Sequence, residues 1–308
     1  MKNNGFKVAI VGVGNVGTAG AFALISSGIV SELVIVDINE KRVKGLEHDL
    51  GQANAFHSNF KFQVSTDIQA IEGADVVVIS AGARVLPGQT RLDLAKSNLE
   101  MVEQIVPGMI KAAPDAVIMC ISNPCDVVTH RVAELAGLPE GRVFGTGTTL
   151  DTIRFRWNLS HVLNIDPQSI HADLLGEHGD SSFPFVSGAT VGGRKLTELE
   201  GISKEQIYEC FELARKGANK IRETIGFTSY GIGMIMSDLV AHIFHDRKVV
   251  LPLSVKVHNL YGVDGITLSL PAVLGRNGVE RIIAPVLNEE EQKALQNSAS
   301  ILQKYLVK

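Results

Sequence analysis

A doubly wound parallel α/β sheet followed by a second, α+β part is the architecture the sequence predicts, and three observations predict it. The β-branched run Lys7-Val8-Ala9-Ile10-Val11 enters a glycine-rich turn, then a helical stretch, then a second apolar run, Leu33-Val34-Ile35-Val36. Short continuous apolar runs keep alternating with helical patterns to about residue 145, as expected of strands buried on both faces and joined by right-handed crossover helices. Composition agrees: 45% of the 308 residues are hydrophobic, only 6% are aromatic, and 30 are glycine, a balance that favours α/β over a β-sandwich.

Charge and cysteine content exclude several classes of function. A net charge of −4 without a basic block argues against nucleic acid or an anionic membrane as partner. No run reaches the ~18 uninterrupted apolar residues of a membrane span. The start, Met1-Lys2-Asn3-Asn4-Gly5, lacks a signal-peptide pattern. Cys120, Cys125 and Cys210 form neither a disulfide framework nor a paired CxxC metal spacing, so no metal is expected. Reduced thiols of this kind point to a cytoplasmic protein.

The first turn reads Gly12-Val13-Gly14-Asn15-Val16-Gly17, and the helix it opens stops near Gly28. Gly12 permits the tight turn, Gly14 lets backbone approach a pyrophosphate, and Gly17 lets the helix pack on the strand. The helix N-terminus offers free N–H groups to phosphate oxygens. Asp37 ends the second strand, 20 residues after Gly17, where a carboxylate accepts both ribose hydroxyls. A carboxylate there repels a 2′-phosphate, so the cofactor expected is NAD and not NADP. This is the Rossmann arrangement of strand, glycine turn, helix, strand and acid.

Further strands are predicted at 60–65, 75–80 and 116–122. Ligands of such sheets bind beyond the carboxyl ends of the strands. One of those ends opens the loop Ala81-Gly82-Ala83-Arg84-Val85-Leu86-Pro87-Gly88-Gln89-Thr90-Arg91, where glycines, a proline and two arginines suggest a lid carrying charge. Another is Ser122-Asn123-Pro124-Cys125-Asp126, a turn that admits a cis peptide and places Asn123 to orient a ligand. A solvated surface loop and a helix-starting turn are the plainer readings of these two stretches.

Beyond residue 145 the character changes, and the chain divides into an NAD-binding part, 1–145, and a substrate part, 146–308. Residues 148–158 read as a helix with Asp151 and Arg154 on one face. They either pair on the surface, which is worth little, or project together into the cleft. Strand-like runs with glycine turns follow 170. Helices are expected over 204–224, 229–245 and 289–304 and strands over 249–257 and 265–274. The helix near 229–246 is expected to pack back on the first domain. In Leu174-Leu175-Gly176-Glu177-His178-Gly179-Asp180 an apolar run breaks at a glycine beside a histidine, which puts an imidazole at the end of a buried strand. A hydrogen-bonded structural histidine is the alternative there.

With these motifs in view, the chain resembles the L-lactate/malate dehydrogenase superfamily, and within it the lactate dehydrogenase-like L-2-hydroxyacid dehydrogenases. The resemblance rests on Gly12–Gly17, the Arg84–Arg91 loop, Ser122-Asn123-Pro124, Leu150-Asp151-Thr152-Ile153-Arg154, Gly176-Glu177-His178-Gly179 and Thr228-Ser229, and covers nearly the whole chain. It implies His178 as proton donor and acceptor, Asp151 as its orienting carboxylate, and Arg154 as a bidentate clamp on the substrate carboxylate. It implies that Arg91 rides on the closing loop and polarises the substrate carbonyl, and that Asn123 contacts the substrate oxygen. Gly12, Gly14, Asn15, Val16, Gly17, Asp37, Arg84, Asn98, Ser122 and Asn123 fall at its cofactor-binding positions.

In this family the position two before the loop's Pro-Gly faces the substrate side chain; lactate dehydrogenases usually carry glutamine there and malate dehydrogenases arginine. Here it is Val85. It cannot pair with a second carboxylate, and an unpaired buried charge costs several kcal/mol, so oxaloacetate is rejected as a good substrate. Thr228 resembles the lactate-type pocket wall. The resulting expectation is an NAD-dependent L-2-hydroxyacid dehydrogenase that takes pyruvate and larger apolar 2-oxo acids such as 2-oxoisocaproate. Three alternatives stand beside it: an L-lactate dehydrogenase proper regulated by fructose 1,6-bisphosphate, an L-malate dehydrogenase, and a non-catalytic NAD-binding oligomeric protein. Arg156 and His171 match the family's allosteric sugar-bisphosphate positions, while Asp173 beside them opposes an anion. The family's dimers and tetramers imply a homo-oligomer, with a tetramer expected.

Overall fold

The computed structural model describes residues 5–56, 60–83 and 91–306, without the side chains of residues 91–93. Alternating inward and outward side chains build its first half. Strand β1 (Lys7–Val11) is followed by helix α1 (Asn15–Ser27), β2 (Glu32–Val36), α2 (Glu40–Asn54), β3 (Lys61–Ser65) and β4 (Val76–Ile79). Then come α3 (Arg91–Ala112), β5 (Val117–Cys120), α4 (Cys125–Ala136) and β6 (Val143–Gly145). These strands are parallel and stand in the order β3-β2-β1-β4-β5-β6, the doubly wound order in which ligands sit where the strand order reverses. Val8, Ile10, Leu33, Ile35, Val76 and Val78 face one hydrophobic core. Their neighbours Ala9, Val34, Val36, Val77 and Ile79 face a second core, with Val102, Val106 and Met109 of α3 and Val128 and Val132 of α4. Burial on both faces is why these strands read as unbroken apolar runs.

The second half begins with α5 (Thr149–Leu163), followed by the short strands β7 (Ile170–His171), β8 (Leu174–Leu175), β9 (Phe183–Pro184), β10 (Thr190–Val191) and β11 (Arg194–Lys195). Helices α6 (Lys204–Ile225) and α7 (Tyr230–Phe244) come next, then β12 (Val249–Lys256), β13 (Thr267–Gly275), β14 (Gly278–Ile282) and α8 (Glu289–Leu306). Strands β12, β13 and β14 are antiparallel and extend the parallel sheet beyond β6 to nine strands. That continuity was not visible as a pattern, because it rests on one rung, Ser254 opposite Gly145. A Cβ at Gly145 would lie 2.4 Å from Thr129 Oγ1 and 2.8 Å from Ser254 Cβ, so only a glycine lets the two parts of the sheet meet. Pro252 and Pro271 stand opposite each other, placing both missing N–H groups on one rung.

Strand ends differ from the sequence-based bounds by a residue or two, and α5 runs five residues further, to Leu163. Phe155 and Leu159 extend the apolar face of α5 into a third core with Ile207, Phe211 and Ala214 of α6. Helix α7 crosses back onto α1, with Met236 filling the space left by Gly20.

The α1–α7 contact is close enough to make a sharp stability test. A Cβ at Gly233 would come within 2.8 Å of the Ala19 carbonyl carbon, a backbone atom that cannot turn aside. Gly233→Ala is expected to destabilise the fold by about 1–3 kcal/mol through overpacking. Exposed Gly45 of α2 has nothing within 4 Å of its Cβ position, so Gly45→Ala is expected to stabilise by about 0.5–1 kcal/mol. Urea unfolding of the two variants checks both signs.

Candidate active site

The turn after β1 is built to approach an anion. Gly12 has φ +89°, and a Cβ there would overlap the backbone of Ala81 just beyond β4. Gly14 caps α1 without a side-chain hydrogen bond, a Cβ there would touch nothing within 4 Å, and the first turn holds no acidic residue. The first amides of α1 therefore stay open to phosphate oxygens. A Cβ at Gly17 would strike the Gly12 carbonyl oxygen at 2.3 Å, so this glycine packs the helix against the turn itself. Asp37, half-buried at the end of β2, accepts from Val13 N–H at 2.8 Å through Oδ2 and from Asn39 N–H at 2.9 Å through Oδ1. Asn15 and Val16 form the first turn of α1. The cradle fits a dinucleotide, with a carboxylate fixed beside the glycine turn.

Helix α5 supplies the charged pair. Asp151 and Arg154 lie one turn apart, with Arg154 Nη1 donating to Asp151 Oδ1 at 3.1 Å. The other carboxylate oxygen, Oδ2, accepts from His178 Nδ1 at 2.6 Å. Asp151 is buried, and burial alone would raise its pKa; the His178 and Arg154 charges outweigh that and hold it below the usual carboxylate range. An ionised Asp151 requires the proton on Nδ1, which leaves Nε2 as the nitrogen that can face a substrate oxygen. Burial works against the imidazolium, but Asp151 first and then Asp126 overcome it and raise the His178 pKa above its ordinary value.

His178 is delivered by the loop after β8. Gly176 has φ +89°, and a Cβ there would meet Ser298 Oγ at 2.5 Å and the Phe183 ring at 3.2 Å. The Gly176 backbone pairs with Ser269 of β13 in both directions, at 3.0 and 2.8 Å. The loop is thus anchored one residue before Glu177 and two before the histidine.

The pieces are linked along the carboxyl ends of the parallel strands. Asn98 of α3 is buried; its Oδ1 accepts from Ala83 N–H at 2.7 Å and its Nδ2 donates to the Asn123 carbonyl. Ser122 Oγ donates to the Ile79 and Ala81 carbonyls. Asn98 and Ser122 thereby spend these groups on holding the ends of β4 and β5 together. Asn123 is exposed, and its peptide bond to Pro124 is cis. Thr228 is half-buried between α6 and α7. A Cβ at Gly217 of α6 would sit 3.5 Å from Arg154 Cδ, so α6 borders the arginine. Arg84 and Val85, and the side chain of Arg91 at the start of α3, lie outside the described residues.

Arg156 donates from Nη2 to Asp173 Oδ1 at 2.6 Å and from Nε to the Ala172 carbonyl at 3.1 Å, while His171 is exposed on β7. One residue close to the histidine escaped the sequence reading. Asp126, in the first turn of α4, is buried; it accepts from His178 N–H at 2.7 Å and from Ser254 Oγ at 2.6 Å. The available signals were a carboxylate in the otherwise apolar start Cys125-Asp126-Val127-Val128 and a serine inside the apolar strand β12.

Residues 6–145 match the family model of the lactate/malate dehydrogenase NAD-binding domain, and residues 148–308 match the model of the lactate/malate dehydrogenase α/β C-terminal domain. The chain is 40% identical over 302 residues to L-lactate dehydrogenase 2 of Listeria monocytogenes, covering 97% of each chain. It is 38% identical to the L-lactate dehydrogenase of Lacticaseibacillus casei, over 97% of this chain and 93% of that one. Among solved structures, it superposes on a lactate dehydrogenase from a Medee basin deep-sea metagenome library with TM-score 0.93 and 36% identity, covering 98% of both chains. The minor L-lactate dehydrogenase of Enterococcus mundtii, in its ligands-bound form, gives the same TM-score and identity. The Rossmann cradle, the second α/β part and these matches together place the chain in the lactate/malate dehydrogenase family, as an NAD-dependent oxidoreductase.

Proposed function

We propose that this enzyme is an L-2-hydroxyacid dehydrogenase that reduces pyruvate and larger apolar 2-oxo acids reversibly, with His178, Asp151, Arg154, Arg91 and Asn123 as its working residues. The observation that carries the reading is the Asp151 carboxylate shared between His178 and Arg154. When bound, NADH supplies the hydride. This chain's part is to bind the acid, orient it and move one proton. Arg154 keeps guanidinium donors beyond the one given to Asp151, and a planar fork suits a carboxylate. His178 Nε2 gives its proton to the oxygen that becomes the hydroxyl, and Asp151 stabilises the imidazolium before that transfer. Arg91 would add positive charge beside the same oxygen as the loop closes.

The protonation states set the direction of the pH dependence. Reduction needs His178 protonated and oxidation needs it neutral. Because the His178 pKa is raised, kcat/KM for reduction is expected to persist to higher pH than an ordinary histidine would allow and to fall as pH rises through that pKa. The oxidation profile is expected to rise over the same interval. His178→Asn is expected to lower kcat by at least ~100-fold, within the usual range for removing a general acid, while NADH binding followed by fluorescence stays nearly intact. Joint loss of turnover and NADH binding would make His178 structural.

Substrate choice rests on Val85 and Thr228, neither of which carries charge. Each additional buried methylene is worth only ~0.8 kcal/mol, so the acceptance of apolar side chains is broad. A panel of pyruvate, 2-oxoisocaproate, phenylpyruvate and oxaloacetate is expected to place oxaloacetate last in kcat/KM. Oxaloacetate at the top would return the malate reading.

Fructose 1,6-bisphosphate regulation is disfavoured by the Arg156–Asp173 pair, which gives the arginine an internal counter-ion. Activity at limiting pyruvate is expected to be unchanged by the effector, and a rise on its addition would reinstate the site at Arg156 and His171.

Self-association fits the surface. Tyr230 and Met234 on α7, Ile153 and Trp157 on α5 and Phe22 on α1 are exposed apolar side chains on helices that touch one another. The i,i+4 spacing of the first two pairs makes stripes suited to a second copy, and a homotetramer is the state we expect. Among the described residues no helix is long and apolar enough to cross a membrane. All three cysteines are free and buried, consistent with the cytoplasm.

A further inference from the structure

We infer that Asp126 is a positioning residue of this reaction: its carboxylate fixes the backbone of His178 against strand β12 and places a negative charge close to the imidazole. The inference rests on the assignment of His178 as proton donor. Its basis is geometric. Asp126 is buried at the start of α4, directly beyond β5, and its two oxygens face different parts of the molecule. Oδ2 accepts the His178 backbone N–H at 2.7 Å, and Oδ1 accepts the Ser254 hydroxyl at 2.6 Å. Ser254 is the residue that pairs with Gly145, the one register pair among the described residues that joins β12 to β6. One carboxylate therefore grips both the histidine loop and the seam of the sheet. A core packed only for stability gains little from a charge at this position, since an apolar residue of similar volume avoids its desolvation.

Burial pushes the Asp126 pKa up to about 6, against the Ser254 and His178 hydrogen bonds that pull it down. Glu177, on the histidine loop, adds negative charge and opposes ionisation. The adjacent Cys125 thiol is pushed up to about 12 by burial, so it stays neutral. The imidazole is faced by Asp151 and Arg154 from α5 and by Asp126 from α4. Above about pH 6, then, the carboxylate is ionised, its bond to His178 N–H is charge-assisted, and its field favours the imidazolium. As pH falls through that value the carboxyl becomes neutral, its hold on the loop weakens and its support of the imidazolium is lost.

The test compares wild type with Asp126→Asn and Ser254→Ala in pH profiles of kcat/KM for pyruvate reduction. The same proteins are titrated by histidine NMR, with the His178 signal assigned by its loss in His178→Asn. Wild type is expected to show an acid limb near pH 6. Asp126→Asn should remove that limb, shift the basic limb to lower pH and cut kcat at neutrality by roughly 10–100-fold, with KM for NADH moved less than about twofold. The NMR titration of His178 should move to lower pH in parallel. Ser254→Ala, which takes away a bond that lowers the Asp126 pKa, should carry the acid limb to higher pH. If Asp126→Asn does not fold, Ser254→Ala decides: an unmoved acid limb there overturns the inference. Variants that lose thermal stability but keep both limbs and the His178 titration of wild type reduce Asp126 to a structural residue. If wild type reduces no 2-oxo acid, the dehydrogenase reading fails separately, and the NMR titration still judges whether Asp126 sets the state of His178.

Discussion

One buried carboxylate, that of Asp151, ties together the two charged groups of the candidate site. Its two oxygens are divided between an imidazole from the loop after β8 and a guanidinium one helical turn away. Leaving such a carboxylate unpaired costs several kcal/mol. Neither partner can leave without penalty, so the arrangement fixes the tautomer of His178 and the approach of Arg154 together. The guanidinium and the imidazole, proposed here as the acid-binding and proton-transfer groups, thereby acquire a set separation before any ligand arrives. That is the preorganisation that keeps the cost of aligning a 2-oxo acid out of the reaction step.

The scaffold is arranged to make that meeting reproducible. Contacts run from Gly12 to the backbone of Ala81, through Asn98 to Asn123, and through Asp126 to His178. The first two steps join the carboxyl ends of parallel strands in the order β1, β4, β5, and the third reaches from the start of α4, beyond β5, to the histidine loop after β8. The nucleotide cradle and the histidine are therefore held by one line of hydrogen bonds and close packing. The antiparallel strands hold the line from the other side, through Ser269 at Gly176 and Ser254 at Asp126. Glycines recur along it because a Cβ would need space already filled, by the Ala81 backbone at Gly12 and by neighbouring side chains at Gly145 and Gly176.

Much of this was legible in the sequence where a local pattern carries the physics. The glycine turn with Asp37 announced the cradle, because turn geometry and helix amides depend on a few adjacent residues. The three-residue spacing of Asp151 and Arg154 put them on one face, since helical periodicity is local. Composition and spacing did not link His178 to Asp151; that pairing came from family resemblance, and 27 residues separate the two. Asp126 stayed hidden for the same reason: its partners, His178 and Ser254, are 52 and 128 residues away, and an aspartate at a helix start has an ordinary explanation. The continuity of the nine-stranded sheet was likewise invisible, because one rung between Gly145 and Ser254 leaves no periodic trace.

The division of labour within the site explains why substrate identity is harder to read than reaction class. In the proposed reading Arg154, His178 and Asp151 serve the carboxylate and the reacting oxygen, which every 2-oxo acid possesses. Their mutual geometry is enforced by burial and charge, so it is written into the fold. In the proposed reading the remaining part of the substrate is left to uncharged residues, Val85 and Thr228, and selection there would depend on side-chain volume and polarity alone. Among apolar side chains such a surface discriminates by increments of ~0.8 kcal/mol per methylene. Against a second carboxylate it discriminates by the several kcal/mol of an unpaired buried charge. A pocket of this chemistry is therefore graded toward apolar 2-oxo acids and categorical toward dicarboxylates. On the proposed reading the physical reason is the lack of a charged side chain at position 85, and not the Asp151-centred geometry assigned to the transfer.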